Sequence, residues 1–398
     1  MTIRKVSVRK ILNSRGEATL EVELQNKAGA IFRAQIPSGK STGENEALVL
    51  PYEKARNVVQ KFIAPSLRRK AFRGVESLDR YLIRLDGTER KTRLGGNLIL
   101  GISIAFSRLL AAKQGVELWD LWNKEFFAGY RSAPRPLIFS NLINGGAHAG
   151  NNLDIQEYLV VSRSKGSIVS SIEKIGVIYK KLGEILEHKF KTLIPIGDEG
   201  GYAVDFPDNF DPLRLLDRVI KSLRLEKDFF LGIDVAANTF FNRKRYLFGR
   251  KSLQASDLLR LYVREAKSLQ SLLSFEDPFS ESDRESFAMI SRALKDRWVV
   301  GDDLTATNPF LIKQAAAKKL VNAVIIKANQ IGTITETCEA MRIARANGVK
   351  RIISHRSGET EDIFLAHLAR AGGVEGVKIG APIHERISKF NELARLYD

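Results

Sequence analysis

Six short apolar runs in the second half of the chain each end in an ionisable side chain. A carboxylate ends FFLGIDVA, SLLSFEDPF and WVVGDDLTA, and a cation or a histidine ends AVIIKAN, RIISHRSGETED and VKIGAP. A chain that repeatedly closes a buried strand with such a group builds one polar site from many strands. The (β/α)8 barrel does this most readily, because its functional groups lie at the C-terminal ends of its strands. The side chains concerned are Asp234, Glu276, Asp302, Lys327, His355 and Lys378.

The spacing of these runs supports the same fold. From Asp302 through Lys327 and His355 to Lys378, each interval is close to one strand plus one helix, with helical segments such as NPFLIKQAAAKK between. This regularity predicts parallel strands joined by helical crossovers. With LIFSNLI and IQEYLVV, the number of strand candidates reaches eight. The sequence therefore predicts an α/β fold with a C-terminal (β/α)8-type barrel.

The N-terminal third has a different pattern. Apolar and polar residues alternate in KVSVRKIL, ATLEVELQ and AIFRAQI, which predicts three strands, and the period becomes helical from about Ala47 to Phe126. The glycine and prolines of FFAGYRSAPRP indicate a boundary. We predict a smaller N-terminal α+β domain over residues 1–130 and the barrel over residues 131–398.

Composition limits the class of protein. The N-terminus lacks the apolar stretch of a signal peptide, and no run suggests a transmembrane segment, so a cytoplasmic location is expected. The single cysteine, Cys338, cannot form an internal disulfide and is expected to be a small core residue, because TITETCEAMRIARA has the pattern of an amphipathic helix.

The net charge is strongly positive. The chain has 63 basic and 46 acidic side chains, a formal charge of +17, which raises the possibility of weak electrostatic binding to polyanions. The basic residues are spread along the chain, and their short clusters lack interleaved aromatic residues that could stack on bases. Solvated surface is the favoured interpretation.

Three carboxylates at neighbouring strand ends need a counter-charge. Two like charges about 4 Å apart repel by roughly 4 kcal/mol at an effective dielectric constant near 20. A hard divalent cation with oxygen ligands, most simply Mg²⁺, would neutralise Asp234, Glu276 and Asp302. Each acid taken alone could instead pair with an arginine or cap a helix, as the adjacent Asp277 and Asp303 could do.

Two further segments carry cations. Lys327 could act as a base if a nearby cation favoured its neutral form, or it could form a salt bridge to a barrel carboxylate, and the local sequence leaves both open. In SHRSGETED, Arg356 and the Ser357 amide suit recognition of a phosphate or carboxylate. Ser357 or Thr360 could also cap the following helix.

Glycine-rich loops supply the remaining candidates. NGGAHAGNN surrounds His148 and precedes Gln156 and Glu157, and IGDEGGYA presents Glu199 between glycines. Such loops let the backbone approach a ligand closely.

PSGKSTGENEA imitates the end of a phosphate-binding P-loop. That motif needs a glycine five residues before Gly39, and Ala34 stands there, so nucleotide binding is rejected. The loop could still offer Ser41 to a metal ion.

Taken together, these segments resemble the enolase family. The likeness runs from ILNSRG to KIGAP, and the motifs occur in the family's order: PSGKSTG, NGGAHAGN, QEY, GDEGG, EDPF, GDDLTATNP, KANQIGT and SHRSGETED. The resemblance implies a Mg²⁺-dependent carbon–oxygen lyase that interconverts 2-phosphoglycerate and phosphoenolpyruvate plus water in glycolysis and gluconeogenesis.

The resemblance also implies roles for the metal-binding and proton-transfer residues. Two Mg²⁺ ions are expected per site, the first on the three strand-end carboxylates and the second, with substrate, assisted by Ser41. Lys327 is expected to remove the proton from C2, and Glu199, assisted by Glu157, to act on the departing 3-hydroxyl. Two divalent cations would stabilise the charge that forms next to the substrate carboxylate.

The remaining site residues are implied to bind substrate. Arg356 and Ser357 would hold the phosphate and Lys378 the carboxylate. Gln156 and Ser41 are further expected contacts, and His148 and His355 would lie close by as part of the catalytic group.

Some positions depart from the family pattern. Lys40 stands where the loop usually has alanine, and the region after GENEALVL is shortened, which affects part of the surface on which the implied homo-oligomer, a dimer or an assembly of dimers, would form.

Two alternative functions compete with this one. An acid-sugar dehydratase is disfavoured because Ile325 stands where a paired lysine would precede Lys327. An enolase-like protein that binds RNA or cell-surface polymers through its basic surface stays open.

Overall fold

The computed structural model describes residues 1–40, 43, 45–68, 70–128, 130, 135–163 and 166–398. Within these ranges the chain forms an N-terminal unit of three strands and several helices, followed by a closed eight-stranded barrel. This confirms the predicted fold class. Ser41, the predicted loop ligand, lies outside the described residues.

The N-terminal sheet is an antiparallel meander at the predicted strands. It consists of β1 (Lys5–Leu12), β2 (Ala18–Gln25) and β3 (Ile31–Gln35). The register of β1 and β2 runs from Lys5 opposite Gln25 to Leu12 opposite Ala18. Its buried face, which includes Val22, packs against a helix.

Among the described residues, five α-helices follow the sheet. They are α1 (Tyr52–Val58), which continues through one π-helical turn (Val59–Ile63) into α2 (Ala64–Leu67), then α3 (Val75–Asp86), α4 (Gly96–Gln114) and α5 (Leu118–Phe126). The sheet lies close to α4, because a Cβ on Gly101 would be only 2.3 Å from Val22. The sequence led us to expect no transmembrane segment, but α4 is long and apolar enough to cross a membrane. Of its most apolar window, 83% is buried inside the protein, as in the core helix of a globular domain.

The barrel strands are joined mostly in parallel. In chain order the strands of this half are β4 (Leu137–Asn144), β5 (Glu157–Ser162), β6 (Phe229–Asp234), the small meander β7 (Phe241–Asn242), β8 (Arg245–Phe248) and β9 (Lys251–Leu253), then β10 (Leu272–Glu276), β11 (Trp298–Gly301), β12 (Ala323–Ile326), β13 (Lys350–Ser354) and β14 (Gly376–Ile379). The closed barrel has the order β10-β11-β12-β13-β14-β4-β5-β6.

One strand departs from the predicted parallel arrangement. β5 is antiparallel to both β4 and β6, whereas the other six pairings are parallel. The segment from β4 to β5 holds the glycine loop and one short 3₁₀ turn (Gly146–His148), too little for a crossover helix. A parallel connection needs such a crossover, and a short loop returns the chain antiparallel.

Helices surround the barrel. They are α6 (Ile168–Phe190), α7 (Asp211–Ser222), α8 (Ala255–Ser268), α9 (Arg284–Ala293), α10 (Pro309–Ala317), α11 (Ala328–Ile331), α12 (Ile334–Ala346), α13 (Phe364–Gly372) and α14 (Ile387–Tyr397). Cys338 on α12 is fully buried, as predicted. The domain limits 1–130 and 131–398 stay predictions: α5 ends at Phe126, and β4 begins at Leu137.

The N-terminal unit contacts the C-terminal edge of the barrel. Ser38 and Gly358 exchange two backbone hydrogen bonds of 2.8 and 3.0 Å, and the Ala47 amide donates to the Gln330 carbonyl at 2.7 Å. A Cβ on Gly358 would lie 2.6 Å from the Ser38 hydroxyl, so glycine permits this approach. Residues from the first 50 positions therefore reach the ends of the barrel strands.

Candidate active site

The charged strand ends meet around a buried cavity. Asp234 and Glu276 are the last residues of β6 and β10, and Lys327 directly follows β12. Apart from Glu276, the candidates among the described residues line the cavity together with Lys40: Gln156, His148, Glu157, Glu199, Asp234, Asp302, Lys327, His355, Arg356, Ser357 and Lys378.

Lys378 occupies the centre of one carboxylate group. Its ammonium lies 2.9 Å from an oxygen of Asp234, 2.8 Å from Glu276 and 3.1 Å from Glu157. The three acids come together because Glu157 pairs in register with Asp234, and Asp234 with Glu276, across adjacent strands. Burial acts to lower the pKa of Lys378, but Asp234, Glu157 and Glu276 outweigh burial and raise it well above its usual value.

This carboxylate group fits a hard divalent cation. Burial, and next the charge of Asp234, raise the pKa of Glu276 well above its ordinary range. The Oε1 atom of Glu276 is buried and has no hydrogen-bond partner among the described residues. A buried set of carboxylate oxygens with more negative than positive charge is the donor set that a hard divalent cation binds.

Asp302 has different neighbours from Asp234 and Glu276. It forms an ion pair with Lys327 and accepts a hydrogen bond of 2.9 Å from the Gln330 amide. Its carboxylate oxygen also groups with those of Asp277 and Asp303, all within 4.8 Å of one another. The structure thus brings Asp234 and Glu276 together around Lys378 and holds Asp302 with Lys327.

Lys327 has the salt bridge that the sequence left as one alternative. Burial acts to lower the pKa of Lys327, and Asp302 more than offsets this, so that the pKa is raised. Burial acts to raise the pKa of Asp302, and Lys327 more than offsets this, so that the pKa is lowered. A cation that engaged Asp302 would remove the contact that raises the pKa of Lys327.

Two carboxylates and two histidines form a second group. The Nδ1 atom of His148 is 3.7 Å from an oxygen of both Glu157 and Glu199, and the Nε2 atom of His355 is 3.3 Å from Glu199. The side-chain amide of Asn141 donates to Glu199 at 3.1 Å. Burial lowers the pKa of both histidines.

The environments of the two glutamates differ. Burial and the adjacent Glu199 raise the pKa of Glu157 well above its usual range. Burial also acts to raise the pKa of Glu199, but the contacts with His355 and His148 outweigh burial and hold it well below its usual value. Of the two carboxyl groups, Glu157 is therefore the one that binds a proton more readily in this arrangement.

Arg356 and Ser357 are fixed by residues of the N-terminal unit. The Arg356 guanidinium pairs with Glu46 at 3.2 Å and donates to the Asn329 side chain at 2.9 Å. The Ser357 hydroxyl accepts a hydrogen bond of 2.7 Å from Arg15. Neither Ser357 nor Thr360 caps a helix, because α13 begins only at Phe364, so the capping alternative is wrong.

Several residues in this network were missed from the sequence. Asn329 and Gln330 stand inside the motif KANQIGT, which offered a signal for them. Arg15 and Glu46 also stand inside quoted segments, ILNSRG and PSGKSTGENEA, but their partners Ser357 and Arg356 could not be predicted because these contacts span more than 300 positions. Gln156 lines the cavity, and its backbone amide donates to the Asp234 carbonyl at 3.1 Å.

Comparison with known families covers both halves of the chain. Residues 3–121 match the family described as "Enolase, N-terminal domain", and residues 132–398 match "Enolase, C-terminal TIM barrel domain". This chain belongs to the enolase family. The second description agrees with the eight-stranded closed barrel.

Curated relatives named Enolase match over nearly their full length. The relative from Sulfolobus acidocaldarius is 36% identical over 401 residues, covering 99% of this chain and 95% of the relative. The relative from Methanopyrus kandleri is 37% identical over 412 residues, and that from Ehrlichia canis 36% over 409, with the same coverage of 99% and 95%. The activity is accordingly that of the enolase family, a carbon–oxygen lyase of glycolysis.

Proposed function

We propose that the chain converts 2-phosphoglycerate to phosphoenolpyruvate and water with Lys327 as base and the Glu157–Glu199 pair as proton donor. The observation that carries this proposal is the barrel order: Lys327 follows β12, Glu157 begins β5, and these strands stand four apart in either direction around the ring. Groups on opposite sides of the cavity can reach opposite faces of one bound substrate. The proton and the hydroxyl would therefore leave from opposite faces.

The proton transfers balance across the site. Neutral Lys327 takes the proton from C2, the C3–oxygen bond breaks, and the departing hydroxyl receives a proton from the glutamate pair to give water. Lys327 reaches its neutral form when Asp302 no longer pairs with it, because burial alone lowers the pKa of the ammonium. The protonated state favoured for Glu157 supplies the second proton.

The metal ligands that we propose are Asp234, Glu276 and Asp302 for a first Mg²⁺, and Ser41 with substrate for a second. Bound divalent cations would stabilise the negative charge that develops beside the substrate carboxylate. A cation on Asp234 and Glu276 would compete with Lys378 for two of its three carboxylate partners, which would leave the Lys378 ammonium to bind the substrate carboxylate.

The phosphate would bind at Arg356 and Ser357. Arg356 is buried, and its planar guanidinium can offer two parallel N–H groups to phosphate oxygens. Glu46 and Asn329 hold that guanidinium in place, and Arg15 holds Ser357. Gln156, His148 and His355 complete the wall of the cavity. A homo-oligomer and a cytoplasmic location are proposals that rest on the sequence.

The decisive experiment follows turnover directly. Purified protein is mixed with 2-phosphoglycerate and Mg²⁺, and phosphoenolpyruvate is followed by its ultraviolet absorbance, with a chelator and Lys327→Ala as controls. We expect turnover that is lost in both controls. Lys91→Ala is the matched variant, because Lys91 is also a buried lysine in an ion pair, 3.0 Å from Glu336, but lies outside the cavity. Folded protein that binds Mg²⁺ without turnover would overturn the proposal.

A further inference from the structure

Lys40 stands apart from the other cations of the active-site cavity. Among the described residues that line the cavity, the permanent cations are Lys40, Lys327, Arg356 and Lys378. The side chains of the last three are 14%, 6% and 3% exposed, whereas that of Lys40 is 44% exposed. Lys40 is therefore the cation at the rim, where an entering ligand arrives first.

The backbone fixes Lys40 beside the loop proposed to bind phosphate. Two residues earlier, Ser38 pairs with Gly358 through both backbone hydrogen bonds, and Gly358 directly follows Ser357. Arg15 bridges the same two segments, since its guanidinium donates to the Ser357 hydroxyl at 2.7 Å and to the Gly39 carbonyl at 3.4 Å. The Lys40 backbone thereby lies two residues from the Ser38–Gly358 pairing and directly follows Gly39, whose carbonyl is held by Arg15.

The present partner of Lys40 is easily exchanged. Its ammonium lies 2.8 Å from an oxygen of Asp198, whose side chain is 23% exposed. A half-exposed ion pair contributes little net free energy, so a group of higher charge can displace one partner. The backbone of Asp198 is held independently, because its amide donates to the His148 carbonyl at 3.2 Å and its carbonyl accepts from Arg386 at 3.1 Å. Losing Lys40 therefore leaves other contacts that hold Glu199 and its loop.

The charge of the cavity makes a rim cation consequential. The acids lining it number seven against four permanent cations: Glu46, Glu157, Glu199, Asp234, Asp277, Asp302 and Asp303. The three buried cations are already paired with acids of the site. A phosphorylated acid carries about three negative charges at neutral pH, and the exposed ammonium of Lys40 at the mouth attracts it before the three buried, paired cations can.

We propose that Lys40 is a substrate-recognition residue that leaves Asp198 to bind the phosphate of the incoming substrate. The proposal rests on the proposed function for the identity of that substrate. It gives this chain a fourth cation in the cavity at the position where the family resemblance led us to expect alanine.

The test compares Lys40→Ala with the unaltered protein. We expect KM for 2-phosphoglycerate to rise roughly threefold to tenfold, the range for an exposed ion pair acting on a doubly charged group, with kcat unchanged within about twofold. The difference in KM should shrink as salt is raised, because exposed charges are screened. Lys40→Arg keeps the charge and should recover most of the affinity.

A matched control and a second background separate direct from indirect effects. Lys174 forms an ion pair of similar exposure, 3.1 Å from Asp228, outside the cavity, and Lys174→Ala should leave KM unchanged. Asp198→Ala removes the resting partner. If Lys40 contacts substrate, Lys40→Ala still raises KM in that background, whereas a Lys40 that only holds Asp198 has no further effect there.

The outcomes also separate this proposal from the proposed function. Unchanged KM in Lys40→Ala, or a loss only through Asp198, overturns the role of Lys40 while turnover of 2-phosphoglycerate stands. If the unaltered protein shows no turnover, the proposed function fails, and calorimetric binding of 2-phosphoglycerate with Mg²⁺ then decides the role of Lys40. Weaker binding to Lys40→Ala supports it, and equal or absent binding overturns it.

Discussion

The contrast between Glu157 and Glu199 gives a way to separate the two proton transfers. Glu199→Gln should remove the carboxylate that, together with burial, raises the pKa of Glu157, so the pair loses its function as proton donor while Lys327 stays in place, and we expect net dehydration to fall by about 10²- to 10⁴-fold. Exchange of the C2 proton with solvent should persist. The measurement is deuterium incorporation into 2-phosphoglycerate in D₂O, followed by NMR. Loss of exchange together with dehydration, in folded protein, would show that Glu199 is needed for the step assigned to Lys327.

At the scale of single residues, the sequence predicted those site residues whose position follows from the strand that they end. Asp234 and Glu276 could be placed because each ends its own apolar run, and β-strand registry then aligns them. Glu46 could not be placed, because its contact with Arg356 depends on how the N-terminal unit docks on the barrel, 310 positions away. The sequence also left open whether Lys327 pairs with Asp302. Sequence spacing does not determine which side chains contact one another within a buried group of charges.

At the scale of elements, the approach of the first unit to the barrel depends on one glycine. Gly358→Ala would place a Cβ 2.6 Å from both the Asn13 amide and the Ser38 hydroxyl and 2.8 Å from the Ser38 carbonyl. We expect a loss of roughly 1–3 kcal/mol in the free energy of unfolding and a raised KM, because Ser357 is displaced. Urea unfolding and steady-state kinetics measure both. Gly176→Ala, on α6 with no atom within 4 Å, should be neutral or stabilising, and equal effects of the two would contradict the prediction.

A buried carboxylate joins two helices of the N-terminal unit to one helix of the barrel. Asp79 on α3 accepts hydrogen bonds from the amide and hydroxyl of Thr335 at the start of α12, at 2.9 and 2.7 Å, and from Ser103 on α4 at 3.0 Å. Burial raises the pKa of Asp79 to about 7. A folded-state pKa above the unfolded value means that the stability from the bound proton is complete below pH 4 and is lost as pH rises to about 7.

Asp79→Asn should therefore alter the pH dependence of stability. The amide cannot ionise, so the free energy of unfolding of the variant, relative to that of the unaltered protein, should increase by up to about 4 kcal/mol between pH 4 and pH 7. Urea unfolding at several pH values measures the difference, and Asp86→Asn, at a buried carboxylate of the same helix, tests whether it is specific. A difference that does not vary with pH would contradict the assignment.

β5 shows why the pattern of elements was predicted better than their direction. Its apolar run predicted a barrel strand. The direction of that strand depends on whether the preceding connection contains a crossover helix, and the chain from β4 to β5 contains only a glycine loop with one 3₁₀ turn. That reversal matters for function, because it places Glu157 at the N-terminal end of β5 yet beside Asp234 at the C-terminal end of β6. The reversed strand thus brings its first residue to the active edge.

At the scale of the whole molecule, the charge of +17 bears on association with polyanions. If the basic surface binds RNA, the affinity should be non-specific in sequence and should weaken steeply between low and physiological salt, because bound counterions are released. A fluorescence titration of a single-stranded RNA at several salt concentrations measures this. Absence of binding even at low salt would remove the alternative function that the sequence left open.

Metal binding couples the site to the stability of the whole protein. The carboxyl groups of Glu157, Asp234 and Glu276 surround one buried ammonium, so Lys378 balances only part of their negative charge in the metal-free protein, and a bound cation would balance more of it. Mg²⁺ at about 100 times its Kd should add roughly 2.7 kcal/mol to the free energy of unfolding, and a chelator should abolish the gain.

Glu276→Gln distinguishes a metal ligand from a structural salt bridge. If Glu276 serves the metal, the variant unfolds no more easily than the unaltered protein under chelation, because one buried like charge is gone, but it loses most of the Mg²⁺-dependent gain. If Glu276 only holds Lys378, the variant is destabilised under chelation and keeps that gain, and thermal unfolding of both proteins with and without Mg²⁺ decides between the two.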